Sequence, residues 1–93
     1  MNAYVTYELV ANQTDLVENF KSKMMSDYSY FDKWFSGPNN NQFTLPNGGL
    51  WKPNISLEQA YQDCVRCGRQ LNIEFKSLII VPATPWVGAS SVR

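Results

Sequence analysis

Two cysteines and the absence of histidine limit the chemistry open to this chain. Cys64 and Cys67 have the spacing of a redox pair, and the 93 residues contain no histidine. Redox pairs owe their low thiol pKa to a helix N-terminus, whereas this pair is expected beyond the middle of a helix. We therefore expect Cys64 to be a core residue and Cys67 a partly buried thiol. Two thiols alone cannot complete a four-ligand zinc site, so we expect no structural zinc site and no cofactor.

The glycine pair and the balanced net charge bear on whether the chain could bind phosphate groups or nucleic acid. Residues 47–49, Asn-Gly-Gly, lack the rest of a phosphate-binding loop and are interpreted as a turn. Eight basic residues balance eight acidic ones, so the long-range attraction to phosphate that drives most nucleic-acid binding is missing for the whole chain. Any contact with RNA must therefore use a local patch.

The length predicts one domain, and the hydropathy predicts no membrane span. A chain of 93 residues with 44% apolar residues can bury one core, which we assign to residues 1–86, with residues 87–93 as a short tail. No apolar run approaches the ~20 residues that cross a bilayer, and Met1 to Val10 does not look like a secretory signal. We expect a cytoplasmic protein.

Hydrophobic periodicity predicts a strand and then a helix at the start of the chain. Residues 3–10 alternate, with Tyr4, Thr6 and Glu8 on the face opposite the apolar side chains. An amphipathic helix follows, with Thr14 as its N-cap and an end near Ser26.

The middle of the chain is less regular. Tyr28 to Phe35 fits either a helical stripe or an aromatic strand, and we favour the strand. Gln42 to Leu45 is expected to form a short strand that Pro46 interrupts before the strand resumes at residues 50–52.

A second helix and a last strand complete the pattern. Ser56 and Gln59 form a capping box that starts the helix. Leu78 to Val81 is apolar at every position, as expected of a strand covered on both faces.

The order of these elements, βαββαβ, predicts an α+β fold of the ferredoxin-like class. Two helices would lie on one face of a four-stranded antiparallel sheet, and the other face would be open. Pro46 is the main objection, because the topology places its strand in the sheet interior, where the missing N–H is costly.

Aromatic residues are the candidates for binding. Tyr4 would lie on the open face, where aromatic rings stack bases in RRM-type RNA binders; the alternative is that Tyr4 covers the sheet or a dimer interface. The chain also has more large rings than a small core can bury, so Trp34, Trp51 and Trp86 are candidate protein contacts. Trp86 alternatively folds back over a sheet edge.

Several short segments together resemble the GhoS family of small ferredoxin-like antitoxins. They are residues 4–9, residues 43–46, the Ser56-capped helix with Ala60, and residues 78–81. The resemblance implies an endoribonuclease that cleaves a toxin messenger RNA, with Glu8 in the position of the family's acidic residue. Glu8 would then be the catalytic or metal-binding carboxylate, and a homodimer would bring two copies together on one divalent cation.

Two functions follow as hypotheses. The first is an RNA-binding or RNA-cleaving antitoxin with Glu8 as its acid and RNA contacts from Tyr4, Lys21, Lys23, Arg66 and Arg69. The second is a non-enzymatic protein-binding module, such as a phage or mobile-element inhibitor of a host protein, that uses its aromatic surface. Phosphate binding weakens steeply with salt, whereas an aromatic interface does not, so the salt dependence of binding separates the two.

Overall fold

The computed structural model describes residues 2–36, 41–45 and 48–83, and the elements in these residues form an α+β fold. Pro46, Trp86, the tail 87–93 and the side chain of Trp34 lie outside the described part. The elements are β1 (Ala3–Leu9), a 3-10 segment (Ala11–Leu16), α1 (Val17–Tyr28), β2 (Lys33–Ser36), β3 (Asn41–Thr44), β4 (Gly49–Lys52), α2 (Leu57–Gln70) and β5 (Phe75–Pro82).

A three-stranded antiparallel sheet carries the fold, with the strand order β4-β1-β5. The central strand places Tyr4 opposite Trp51 on β4 and opposite Val81 on β5. The strands β2 and β3 pair with each other in a separate hairpin. Within the described residues the fourth strand of the expected sheet is not seen, and a single bridge between Phe31 and Trp51 lies beyond β4.

The expected strand from Tyr28 to Phe35 is therefore only partly correct. The first helix continues through Tyr28 and ends where Ser29 adopts a left-handed conformation with a φ of 63°. Of the remaining residues, Phe31 makes the bridge to Trp51, and the part from Lys33 onward pairs with β3. The aromatic pattern could not distinguish a helix end, an isolated bridge and a strand, because aromatic rings at this spacing suit all three.

The start of each helix has a different explanation. Ser56 is the N-cap of α2, because its side chain accepts a hydrogen bond of 3.0 Å from the backbone N–H of Gln59, which confirms the predicted boundary. The side chain of Gln59 turns to Asp63 instead of completing the box. Thr14 is not the N-cap of the first helix: it lies inside the 3-10 segment, and α1 begins at Val17 without a side-chain cap.

The core lies between the helices and the inner face of the sheet. The inward residues of β1 alternate with half-buried or exposed ones, as predicted. Phe20 of α1 joins the layers, because its ring packs edge to face on Tyr7 at 4.8 Å and on Phe75 at 5.3 Å between ring centroids. Such contacts between rings add to the gain from burial.

Both cysteines belong to this core. Cys64 is fully buried, as predicted, and Cys67 is also fully buried rather than partly exposed. Burial raises the pKa of Cys64 to about 12 and that of Cys67 to about 11. Because the reactive species is the thiolate, these values favour two structural thiols over a redox pair.

Removal of the hydroxyl group should have opposite effects on stability at two buried tyrosines. The hydroxyl of Tyr30 donates a hydrogen bond of 3.0 Å to buried Asp63, whereas the buried hydroxyl of Tyr7 has no partner within the described residues. We expect Tyr30→Phe to lower the free energy of unfolding by about 2 kcal/mol and Tyr7→Phe to raise it by about 1 kcal/mol. Urea unfolding of both variants tests this, and a change of the same sign in both would contradict it.

Candidate functional site

The side of the sheet that faces away from the helices is the main candidate for function. We call it the open face, and it consists of Tyr4, Thr6, Phe31, Trp51, Ile79 and Val81. Paired residues of an antiparallel sheet point to the same side. The register therefore places Trp51 and Val81 beside Tyr4, and Ile79 beside Thr6.

A row of aromatic rings crosses the open face. The ring centroids of Phe31 and Trp51 are 5.3 Å apart. Tyr4, on the adjacent strand β1, is the direct pairing partner of Trp51. The indole N–H of Trp51 donates a hydrogen bond of 2.7 Å to the backbone oxygen of Lys33, which fixes the orientation of the ring. Partial burial raises the pKa of Tyr4. The row is thus a positioned surface that extends over neighbouring strands.

Aliphatic side chains extend this surface over β5. Ile79 is 57% exposed and Val81 is 42% exposed, and Phe31 at 41% belongs to the same face. The only other large hydrophobic side chains in the described residues with comparable exposure are Met25 and Tyr61, one on each helix. A concentration of exposed apolar side chains on one face is typical of an interaction surface.

The exposure of β5 corrects one expectation and identifies residues that the sequence missed. The strand is not covered on both faces: the side chains of Leu78 and Ile80 are half-buried, while those of Ile79 and Val81 are exposed. A continuous apolar run carries no period that could mark its outer positions. Ile79 and Val81 therefore had no signal of their own as site residues.

Glu8, the candidate catalytic residue, lies at one end of β1 and forms an ion pair. Its carboxylate is 3.4 Å from the ammonium group of Lys76, and both side chains are exposed. The two residues line a cleft of about 350 Å³ together with Thr14 and Gly48. No cluster of three or more metal-ligating side chains occurs in the part of the chain that the structure describes.

The candidate RNA contacts do not form one surface. Tyr4 is on the open face, whereas the four basic residues belong to the helices on the other side of the sheet. Lys21 lies 3.2 Å from Asp32, and Lys23 lies 2.7 Å from Asp27. Two of the four positive charges are therefore neutralised locally, and Arg66 and Arg69 are exposed on α2.

Of the three candidate tryptophans, Trp51 lies on the open face. The side chain of Trp34 and the whole of Trp86 fall outside the described residues.

Neither of the helices among the described residues has the length and apolar character needed to cross a membrane. Comparisons of the chain with protein-family models, with curated proteins and with solved structures found no match.

Proposed function

We propose that this protein is a non-enzymatic binding module that docks another protein on its open face. The observation that carries the proposal is the row of Phe31, Trp51 and Tyr4, extended by exposed Ile79 and Val81. Aromatic residues dominate the binding energy of protein interfaces, and charged residues are depleted at the interface centre. The open face has this composition.

The charges around the open face favour a partner with an uncharged, apolar patch. Glu8 and Lys76 at its end neutralise each other, and Lys52 points inward, where its ammonium group donates a hydrogen bond of 2.8 Å to the backbone oxygen of Tyr28. The face thus offers little electrostatic attraction to phosphate. An inhibitor from a phage or mobile element that binds a host protein would use a surface of this kind.

The ferredoxin-like topology is part of the same proposal. In that fold the first strand lies between the third and the last, and the second strand lies beyond the third. The order β4-β1-β5 supports this arrangement, and the bridge from Phe31 to Trp51 lies where the second strand would pair. All four strand positions would then contribute to the open face.

The proposal is tested by placing a charge within the apolar part of the open face. Ile79→Glu is the test variant, and Met25→Glu, at an exposed apolar position on α1, is the control. A partner is captured from the native host with the wild-type chain, purified, and titrated by calorimetry at low and high salt. We expect Ile79→Glu to weaken binding by about 100-fold, because an unpaired charge would be buried in the interface.

The calorimetry also shows whether the interface is apolar. Burial of an apolar face should produce a negative heat-capacity change and an affinity that changes little with salt. Equal affinities for the wild type and Ile79→Glu would contradict the assignment of the open face, and an equal loss in Met25→Glu would show a general effect of the added charge.

A second candidate function is binding of single-stranded RNA, which the aromatic row itself favours. Rings on neighbouring strands of an open sheet can stack successive bases, at about 1–3 kcal/mol per base. Anisotropy of a labelled mixed-sequence RNA would then fall with salt and with Tyr4→Ser. Incubation of the same RNA with the wild type and Glu8→Gln, with and without divalent cation, tests the cleavage that the GhoS resemblance implies.

A further inference from the structure

A groove runs along the outer edge of β5 on the helix side of the sheet, away from the open face. Its volume is about 510 Å³. One wall is the start of α2, with Leu57, Glu58 and Tyr61, and the other wall is formed by Leu78 and Ile80 of β5. Tyr61 is 49% exposed. We call this feature the edge groove.

The backbone of β5 is available for hydrogen bonding along this groove. The N–H of Ala83 donates to the backbone oxygen of Asn2, and Pro82 lies opposite Ala3. Since hydrogen-bonded and non-hydrogen-bonded pairs alternate in an antiparallel ladder, the bonds to β1 come from residues 77, 79 and 81. The N–H and C=O groups of Leu78 and Ile80 therefore point away from β1.

No strand among the described residues lies beyond this edge, because β5 ends the order β4-β1-β5. Leu78 and Ile80 thus offer two features at the same place: backbone donors and acceptors that point outward, and half-buried apolar side chains in the groove. An added strand would place every second side chain on the face that carries Leu78 and Ile80, and these side chains would enter the groove beside Leu57 and Tyr61.

We propose that the edge groove binds an extended peptide segment of a partner protein as an additional strand on β5. Main-chain hydrogen bonds to Leu78 and Ile80 would hold the peptide, and alternate apolar side chains would fill the groove, which is the general mode of strand addition. This site differs from the open face and does not depend on the function proposed for that face.

The charge of the groove specifies the peptide further. Glu58 is its one charged lining residue, and this exposed carboxylate has no ion pair among the described residues. A lysine or arginine in the peptide would complement it. The inferred ligand is therefore an extended segment with apolar residues at alternate positions and a basic residue that faces Glu58.

The test uses the full chain and displayed random peptides of roughly twelve residues, a length that covers the edge. Peptides selected on the wild type are counter-selected on Ile80→Pro, which removes one outward N–H while the bonds from residues 77, 79 and 81 to β1 remain. We expect enriched peptides to alternate apolar residues and to carry a lysine or arginine. Circular dichroism verifies that Ile80→Pro is folded.

Amide hydrogen exchange then locates the bound peptide. The amides of Leu78 and Ile80 should exchange at least about tenfold more slowly with a selected peptide, whereas the amide of Ile79, which already bonds to β1, serves as an internal control. Glu58→Lys should weaken binding by about tenfold, and a peptide with glutamate in place of its basic residue should restore the affinity for this variant.

Three results would overturn the proposal. The first is that no peptide is enriched on the wild type over Ile80→Pro. The second is binding that leaves the exchange of Leu78 and Ile80 unchanged. The third is protection of these amides without peptide that rises with protein concentration, because the edge would then pair with a second copy of the chain.

Discussion

Gly48→Ala will lower the free energy of unfolding by about 3 kcal/mol, because two independent constraints require glycine at this position. The φ of Gly48 is +80°, and a Cβ atom built there would lie 2.5 Å from the backbone oxygen of Tyr7. The clash cannot be relieved by a side-chain rotation, since both groups are backbone. The backbone N–H of Tyr7 also donates a hydrogen bond of 2.9 Å to the oxygen of Gly48, which holds the two segments together.

Two further variants separate the causes of this loss. Gly48→Asn relieves part of the left-handed strain, since asparagine tolerates this conformation, but keeps the clash, so most of the loss should remain. Gly68→Ala is the control, because its Cβ would meet the Phe75 ring, 2.9 Å from Cε2, and helix propensity offsets part of the cost. Urea unfolding measures all three. A loss of less than about 0.5 kcal/mol in Gly48→Ala would contradict the argument.

The elements that were predicted well are those in which one local rule acts alone. The alternation in β1 defined both faces of the central strand, and Ser56 defined the start of α2, because each pattern has a single structural interpretation. Residues 28–35 were predicted only in part, because aromatic side chains suit a helix end, a bridge and a strand equally. Their separation depends on the left-handed turn at Ser29, for which serine is not a typical residue.

The candidate site was predicted only in part for a similar reason. Tyr4 and Trp51 could be placed on a binding surface by their residue type, but the contact that joins Phe31 to Trp51 spans 20 positions of sequence. The ion pair between Lys21 and Asp32 is another contact between separate elements. Periodicity describes one element at a time, so it cannot show which charges are neutralised or which rings form a row.

Alkaline solution will unfold the protein through its buried thiols and phenols. Burial raises the pKa of Cys64 from 9.0 to about 12, that of Cys67 from 9.0 to about 11 and that of Tyr7 from 10.0 to about 12. The pKa of Tyr30 is raised by burial and by Asp63. Each group is neutral when protonated and charged when deprotonated, and burial disfavours the charged form. The unfolded chain therefore loses these protons at a lower pH than the folded chain does.

The stabilising contribution of these groups is complete below about pH 9 and declines as the pH rises toward the folded-state values. Between about pH 9 and about pH 11 each buried thiol lowers the free energy of unfolding by about 1.4 kcal/mol per pH unit. Since the slope falls to about half this value near the limits of the range, the two thiols together remove on the order of 4 kcal/mol, which is a large fraction of the total stability of a small domain.

Urea unfolding at steps from about pH 8 to about pH 11 tests this expectation, and Cys64→Val is the matched variant. Valine fills a similar volume without an ionisable group, so the variant should lose stability less steeply above about pH 9, by about 1.4 kcal/mol per pH unit. All other residues are the same in both proteins, so the difference in slope isolates the thiol. Identical slopes would show that Cys64 does not control the alkaline transition, and the proposed burial of its neutral form would be wrong.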